Sequence, residues 1–287
     1  MTWNASLELD YTVRQSMGGN KTVAHFQRQG PLRILQSLYP EGQGICHNVL
    51  IHPPGGLAGG DTANLRLNVA TGAHGLVTTP GATRFYRTEG EPALQSTAIT
   101  LAAHAQMEWL PLETIAFSCC AAENRLTLSL EPDAEMIGWD MTALGLPAAN
   151  KPFEAGVFSQ HLELPGVWLE RACIQANDHL LLDSAMGLSG QRCFATLFFV
   201  SGSPLGKARR QDVLDAARSV MDAPALRHLA ETGQLTAGAT SPNPQVVLVR
   251  AIAPVVEPAM TLLRAVWQHW RSHLWGVRGA PPRIWST

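Results

Sequence analysis

Four carboxylates stand inside apolar stretches of the chain: Asp61 at the end of HPPGGLAGGD, Glu113 in WLPLETIAF, Asp140 in IGWDM and Glu170 in VWLERACI. An isolated buried charge is too costly to keep, so each acid must be paired, hydrogen-bonded or face a wet cavity. One reading is structural pairing with Arg66, Arg84, Arg87 or Arg171. The other is a polar passage for a cation, with oxygen donors too few or too spread to hold the ion tightly. Glu113 and Asp140 also suit a glycosidic mechanism that sets two carboxyl groups across a cleft, which makes a β-rich carbohydrate-active enzyme the alternative.

The remaining groups with chemical potential are sparser. His47 and His52 lie five apart on one expected strand, so their side chains point to opposite faces and do not chelate one ion without a bulge. His269 and His273 lie four apart on one helix face, the spacing that lets two imidazoles share a metal, but no third ligand is near in sequence. The adjacent Cys119 and Cys120 read as core rather than ligands. The run HPPGGLAGGD lacks the lysine and hydroxyl of a phosphate loop, and a strand rather than a helix follows it. GxGxxG, GxSxG and HExxH are absent, which leaves dehydrogenase, serine hydrolase and zinc protease chemistry without support.

These residues must be positioned by a β-rich body. Apolar runs of four to eight residues, broken by turn residues, recur from residue 5 to about 200. Strands are expected over 32–39, 45–52, 63–70, 74–79, 96–103, 125–131, 135–141, 160–165, 167–174 and 179–185. After residue 204 the pattern changes: helices are expected over 206–222 and 258–275, with a strand over 244–254 between them. We read a single domain over 1–287, strand-rich over 1–204 and helix-containing over 205–287, with no internal repeat. In the last helix Met260, Leu263, Trp267, Trp270 and Leu274 form an apolar seam. That seam either packs on the chain's own sheet or docks a partner, and Trp267, Trp270, Arg271 and Leu274 are the docking candidates. The tail PPRIWST is expected to stay loose until a partner orders it.

Of the 287 residues, 46% are hydrophobic and only 15% charged, so the surface is unusually apolar for a globular chain. The net charge of −2 argues against nucleic-acid binding. Residues 1–200 carry 11 basic and 18 acidic side chains, whereas residues 201–287 carry 10 and 5. Five cysteines without CxxC, no signal-peptide pattern and no apolar run of membrane-spanning length point to a reduced, cytoplasmic protein with no membrane partner.

Five segments occur in a fixed order: PEGQGICHN (40–48), HPPGGLAGGD (52–61), TTPGATRFYRTEG (78–90), MEWLPLETIAF (107–117) and IGWDMTALGLPA (137–148). Together they resemble the urease accessory proteins of the D type, UreD, called UreH in some systems. The likeness runs from about Trp3 to the segment Met186-Gly187-Leu188, with departures from the family pattern at Leu112, Asp140 and Leu146. The resemblance implies a mainly β fold, a large layered, β-helix-like stack of strands with two helices near the C-terminus. It also implies a non-enzymatic chaperone of urease maturation. Such a protein binds the urease apoprotein and recruits the F-type accessory protein and, through it, the G-type GTPase, for GTP-dependent nickel insertion. No tightly bound cofactor is implied, only transient nickel. If an internal nickel path exists, Asp61, Glu113, Asp140 and Glu170 are its expected residues, with His47 a weaker one.

Overall fold

A computed structural model describes residues 2–16, 19–278 and 281–286. The first strands are β1 (Asn4–Ser16), β2 (Gly19–Gln29), β3 (Arg33–Ile34), β4 (Ile45–Ile51), β5 (Thr62–Val69) and β6 (His74–Thr78). Then come β7 (Thr83–Phe85), β8 (Ala93–Leu101), β9 (Gln106–Leu110), β10 (Thr114–Ala116), β11 (Cys120–Leu130) and β12 (Glu135–Leu144). The last are β13 (Gly156–Leu164), β14 (Trp168–Gln175), β15 (Cys193–Ser201), β16 (Thr236–Asn243) and β17 (Val246–Ala253). The α-helices are α1 (His179–Asp183), α2 (Lys207–Met221), α3 (Pro224–Glu231) and α4 (Val256–Trp275).

The chain alternates between two sheets. One has the order β14-β13-β11-β8-β5-β1-β2 and the other β16-β17-β15-β12-β9-β6-β4-β3, with β10 and β7 branching from β12. From β4 to β13 nearly every coil places one strand in each sheet, parallel to the strand of the coil before it, which makes the stack resemble a β-solenoid. The coils begin at residues 45, 74, 106 and 135, a structural repeat that has no counterpart in repeated sequence. Parallel stacking in register keeps like residues above one another: Leu9, Leu67, Ile99 and Leu128 form one fully buried ladder between the sheets. Burying such ladders is the main driving force, at about 25 cal/mol per Å² of apolar surface.

The outer face of the second sheet is covered by α4 and α2. Trp267, Trp270, Leu263 and Val266 of α4 join Trp139, Leu197, Phe199 and Val249 of the sheet in a second core. Gly276, in the left-handed conformation (φ 65°), ends α4, and its N–H bonds back to the Ser272 carbonyl.

Several expected elements differ. Residues 179–185 are not a strand: Asp178 accepts a hydrogen bond from the Leu181 N–H (3.0 Å) and starts the short helix α1. Of the strand expected over 32–39, only Arg33–Ile34 pairs in a ladder with β4, with an isolated bridge from Leu38 to His47. The amphipathic α3 and the polar strand β16 lie between the two expected C-terminal helices, in a region whose apolar residues are too few to announce a strand. The tail is not loose over 281–286: Arg283–Ser286 forms a 3₁₀ turn and Trp285 packs on Trp139 and Trp267, with ring centroids 5.5 and 5.3 Å apart. Its final residue, Thr287, lies outside the described residues.

Candidate functional site

The register that stacks leucines also stacks amides. Gln95 on β8 lies opposite Asn124 on β11, which lies opposite Gln160 on β13, so three side-chain amides occupy one rung of the first sheet. Gln95 Nε2 donates to Asn124 Oδ1 at 3.2 Å. Asp140 on β12 faces this rung from the second sheet. Asn124 Nδ2 donates to its Oδ2 and Gln160 Nε2 to its Oδ1, both at 2.6 Å.

Asp140 has its own rung. It lies opposite Thr196 on β15, which lies opposite Arg250 on β17, which lies opposite Gly238 on β16. Glu170 on β14 closes the gap between the sheets at this end. Its Oε1 accepts from the Thr196 hydroxyl at 2.7 Å, and its Oε2 from the Arg250 guanidinium at 2.6 and 3.1 Å. A polar band therefore crosses an otherwise apolar interior from Gln95 to Arg250.

Burial pushes the Asp140 carboxyl up to about 6, and the nearby Glu170 charge adds to this, while the amides of Gln160 and Asn124 work against it. At neutral pH it is a largely ionised acid that burial makes costly. A neighbouring cation would be favoured there.

Cavities flank the band on both sides. A small cavity is lined by Thr83, Gln95, Asn124 and Asp140 among others. A cleft lined by His52, Gly55, Leu57 and Arg84 shares Thr83 and Gln95 with it. At the far end Glu170, Thr196 and Arg250 line an open groove with Thr236–Gly238 of β16.

The glycine run at 52–61 shapes the first opening. A Cβ on Gly56 would stand 2.6 Å from the Arg84 carbonyl oxygen, and Gly60 has φ +80°, which side chains avoid. Among the described residues Asp61 pairs with no arginine. It is 4% exposed, and its oxygens accept the backbone N–H of Trp3 (3.0 Å) and of Ala58 (2.8 Å), so it holds the loop to the N-terminal strand.

The remaining expected residues lie elsewhere. Glu113 is half-buried, on the loop after β9, where its charge acts on Arg264. His47 faces the α4 side of the second sheet, its Nε2 2.8 Å from a Glu41 oxygen. The structure thus brings Asp140 and Glu170 together and leaves Asp61, Glu113 and His47 apart from them. Trp267, Trp270 and Arg271 are 0%, 0% and 1% exposed, so the seam packs on the chain's own sheet and these three are not docking side chains of this structure. Leu274 is half-buried.

Arg271 belongs to a second polar cluster, which the sequence did not announce. Its Nε lies 2.8 Å from Glu108 Oε2 and its Nη2 2.9 Å from Glu41 Oε2. Glu108 Oε1 lies 2.8 Å from His74 Nε2, and Trp267 Nε1 donates to Glu108 Oε2 at 2.6 Å. Burial alone would raise Glu108, but His74, Arg271 and Trp267 outweigh it and hold the carboxyl below its usual range. Glu41 is lowered in the same way, burial being overcome by His47 and Arg271. The cluster ties α4 to β4, β6 and β9.

Cys120 is buried, but Cys119 is exposed at φ +69°, so the cysteine pair is core at one position only. The His269 and His273 rings stack on the exposed face of α4, nearly parallel with centroids 6.4 Å apart. Among the described residues no three His, Cys, Asp or Glu side chains are grouped to hold a metal ion, and no helix is long and apolar enough to cross a membrane.

Two sheets of stacked parallel coils, crossed by a band of side-chain amides, carboxylates and one arginine, define a β-solenoid-like protein. Comparison with known proteins makes this specific. The family model described as UreD urease accessory protein matches residues 4–286. Over 286 residues, covering all of both chains, the protein is 66% identical to the urease accessory protein UreD of Polaromonas naphthalenivorans and 63% identical to that of Paracidovorax citrulli. It is also 45% identical over 302 residues, again all of both chains, to the protein of that name from Methylibium petroleiphilum. The chain belongs to the UreD family of urease accessory proteins.

Proposed function

We propose that this chain is a non-enzymatic cytoplasmic scaffold and chaperone. It binds the urease apoprotein, recruits the F-type accessory protein and through it the G-type GTPase, and passes nickel along the polar band between its sheets. Family membership supports the accessory role. The observation that carries the transit reading is the buried Asp140, held by two amides between a cleft and a groove. Amide oxygens and carboxylates are hard donors that bind a divalent ion weakly enough to release it. Asp61 shapes the entrance by holding its loop and Glu170 borders the exit, whereas Glu113 and His47 fall outside the band. Nickel is cargo here and not a resident cofactor.

The test separates scaffold from passage. Wild type and Asp140→Asn are co-expressed with the urease apoprotein and the F- and G-type proteins, and both co-purification and urease activation are measured. The transit reading expects the variant to co-purify and to fail in activation. Full activation by the variant refutes transit, and failure of the wild type to co-purify refutes the scaffold. The carbohydrate-enzyme alternative gains no observation: Glu113 does not line the cavity that Asp140 lines.

A further inference from the structure

The two sheets end in unequal edges. Edge strand β2 carries Lys21 and Arg28, edge strand β14 carries Glu170 and Arg171, and β3 is only two residues long. Charge and shortness are the usual protections of an open edge. Strand β16 has neither over eight residues, and the sequence holds no charged side chain between Glu231 and Arg250. On its inner side it pairs with β17; on its outer side the backbone of Thr236–Thr240 has no hydrogen-bond partner among the described residues.

An edge of this kind accepts another extended strand, and its sequence says which. Residues 236–240 read Thr-Ala-Gly-Ala-Thr, the same in both directions. Antiparallel pairing with an identical strand, centred on Gly238, sets Thr236 opposite Thr240 of the second copy and Ala237 opposite its Ala239. It sets Gly238 opposite itself. Thr–Thr pairs are favourable across strands, and no like charges face each other. Antiparallel pairing of one strand with its own copy is two-fold by geometry, each residue i facing j and j facing i. Gly238 has open space around the position of a Cβ, so a side chain placed there meets nothing of the chain itself. The irregular register between Thr240 and Asn243, with Pro242, limits the pairing to this segment.

We propose that β16 is a self-association edge, through which two copies of this chain join their ten-stranded sheets about a two-fold axis at Gly238. Gly238 is also the last position of the Asp140–Thr196–Arg250 rung. The dimer therefore brings the two Glu170–Arg250 grooves together beside the axis. This inference does not depend on the proposed cargo.

The test uses the full chain with Cys119 and Cys173 replaced by serine, since both are exposed. Directly opposed antiparallel residues have Cα atoms about 4.5–5.5 Å apart, within the disulfide range of about 4.4–6.8 Å. Gly238→Cys is expected to give a covalent dimer on mild oxidation. Thr240→Cys alone is not, but it should cross-link to chains carrying Thr236→Cys. Sedimentation of the cysteine-intact protein under reducing conditions should show a monomer–dimer equilibrium. Thr240→Lys should weaken it at least about tenfold without changing circular dichroism. A wild type that stays monomeric, a Thr240→Lys dimer as tight as wild type, or equal cross-linking by lone cysteines at 238 and 240 would overturn the proposal. The mixed 236/240 pair keeps the test decisive if Gly238→Cys folds poorly.

Discussion

Replacing Arg271 by methionine tests the cluster under α4 most directly. The methionine keeps the apolar stem and removes one guanidinium that faces two carboxylates, Glu108 at 0% and Glu41 at 8% side-chain exposure. At an effective dielectric near 20 each contact is worth about 4 kcal/mol of Coulomb energy, before subtracting what it costs to bury the arginine. After that subtraction, leaving a buried acid without its cationic partner typically costs about 3–5 kcal/mol. The expected loss in urea unfolding free energy for Arg271→Met is in that range. Glu108→Gln is expected to cost less, because a glutamine oxygen still accepts from Trp267 and Arg271 while its amide turns toward His74. In the double variant the uncompensated charge at 108 is gone, so the two losses should fall short of additive by about 1–3 kcal/mol. A loss below about 1 kcal/mol for Arg271→Met, the range of an exposed pair, would refute the view that this cluster fixes α4. So would strict additivity.

Asp140 and the Glu41–Glu108 pair should give pH effects of opposite sign. Asp140 is raised from 3.8 to about 6 by folding, so its contribution to stability is full below pH 3.8 and is lost as pH rises through 6, about 3 kcal/mol in all. Asp140→Asn should remove that slope in urea unfolding followed from pH 4 to 7; an unchanged slope would show that Asp140 is not strained by burial. Glu41 and Glu108 are lowered, so they stabilise the fold above 4.5 and lose that contribution as pH falls through their folded values; Glu108→Gln should blunt acid unfolding below pH 4.5. Asp61→Ala leaves two backbone N–H groups without their acceptor and should cost about 2–3 kcal/mol, with faster hydrogen exchange at Trp3 and Ala58 as the local readout. Trp285→Ala removes the ring stacked under Arg264 and bonded to Thr78 and should cost about 1–3 kcal/mol, with a changed near-ultraviolet dichroism from Trp139 and Trp267; an unchanged spectrum would mean that the tail is not docked in solution.

Much of the architecture was legible because it is written in period two. RLTLSLE alternates, and Leu126 and Leu128 face inward while Thr127 and Ser129 are more exposed, as the alternation requires. The long C-terminal helix announced itself by its apolar spacing. What failed were the elements whose local preference is overruled: HLLLDS is apolar enough for a strand, but its Asp178 cap and solvent exposure make it a helical turn. The coil repeat was invisible because a solenoid needs matching alternation in successive strands rather than matching residues.

The polar band was half legible, and the missing half shows what register adds. Carboxylates inside apolar runs stand out, so Asp140 and Glu170 were found, along with Asp61, which a loop rather than a cation required. The amides did not stand out, although the signal existed. The same alternation that turns Leu162 and Leu164 inward turns Gln160 inward, and the one that buries Leu126 and Leu128 buries Asn124. A buried amide needs a partner as a buried acid does, and here each supplies the other. Which strand neighbours which cannot be read from one strand's pattern, so Gln95, Asn124 and Gln160 look unrelated at separations of about 30 residues until the coils stack. The spacing of the coils turns three scattered amides into one rung, and that rung gives the acid at position 140 its place between the sheets.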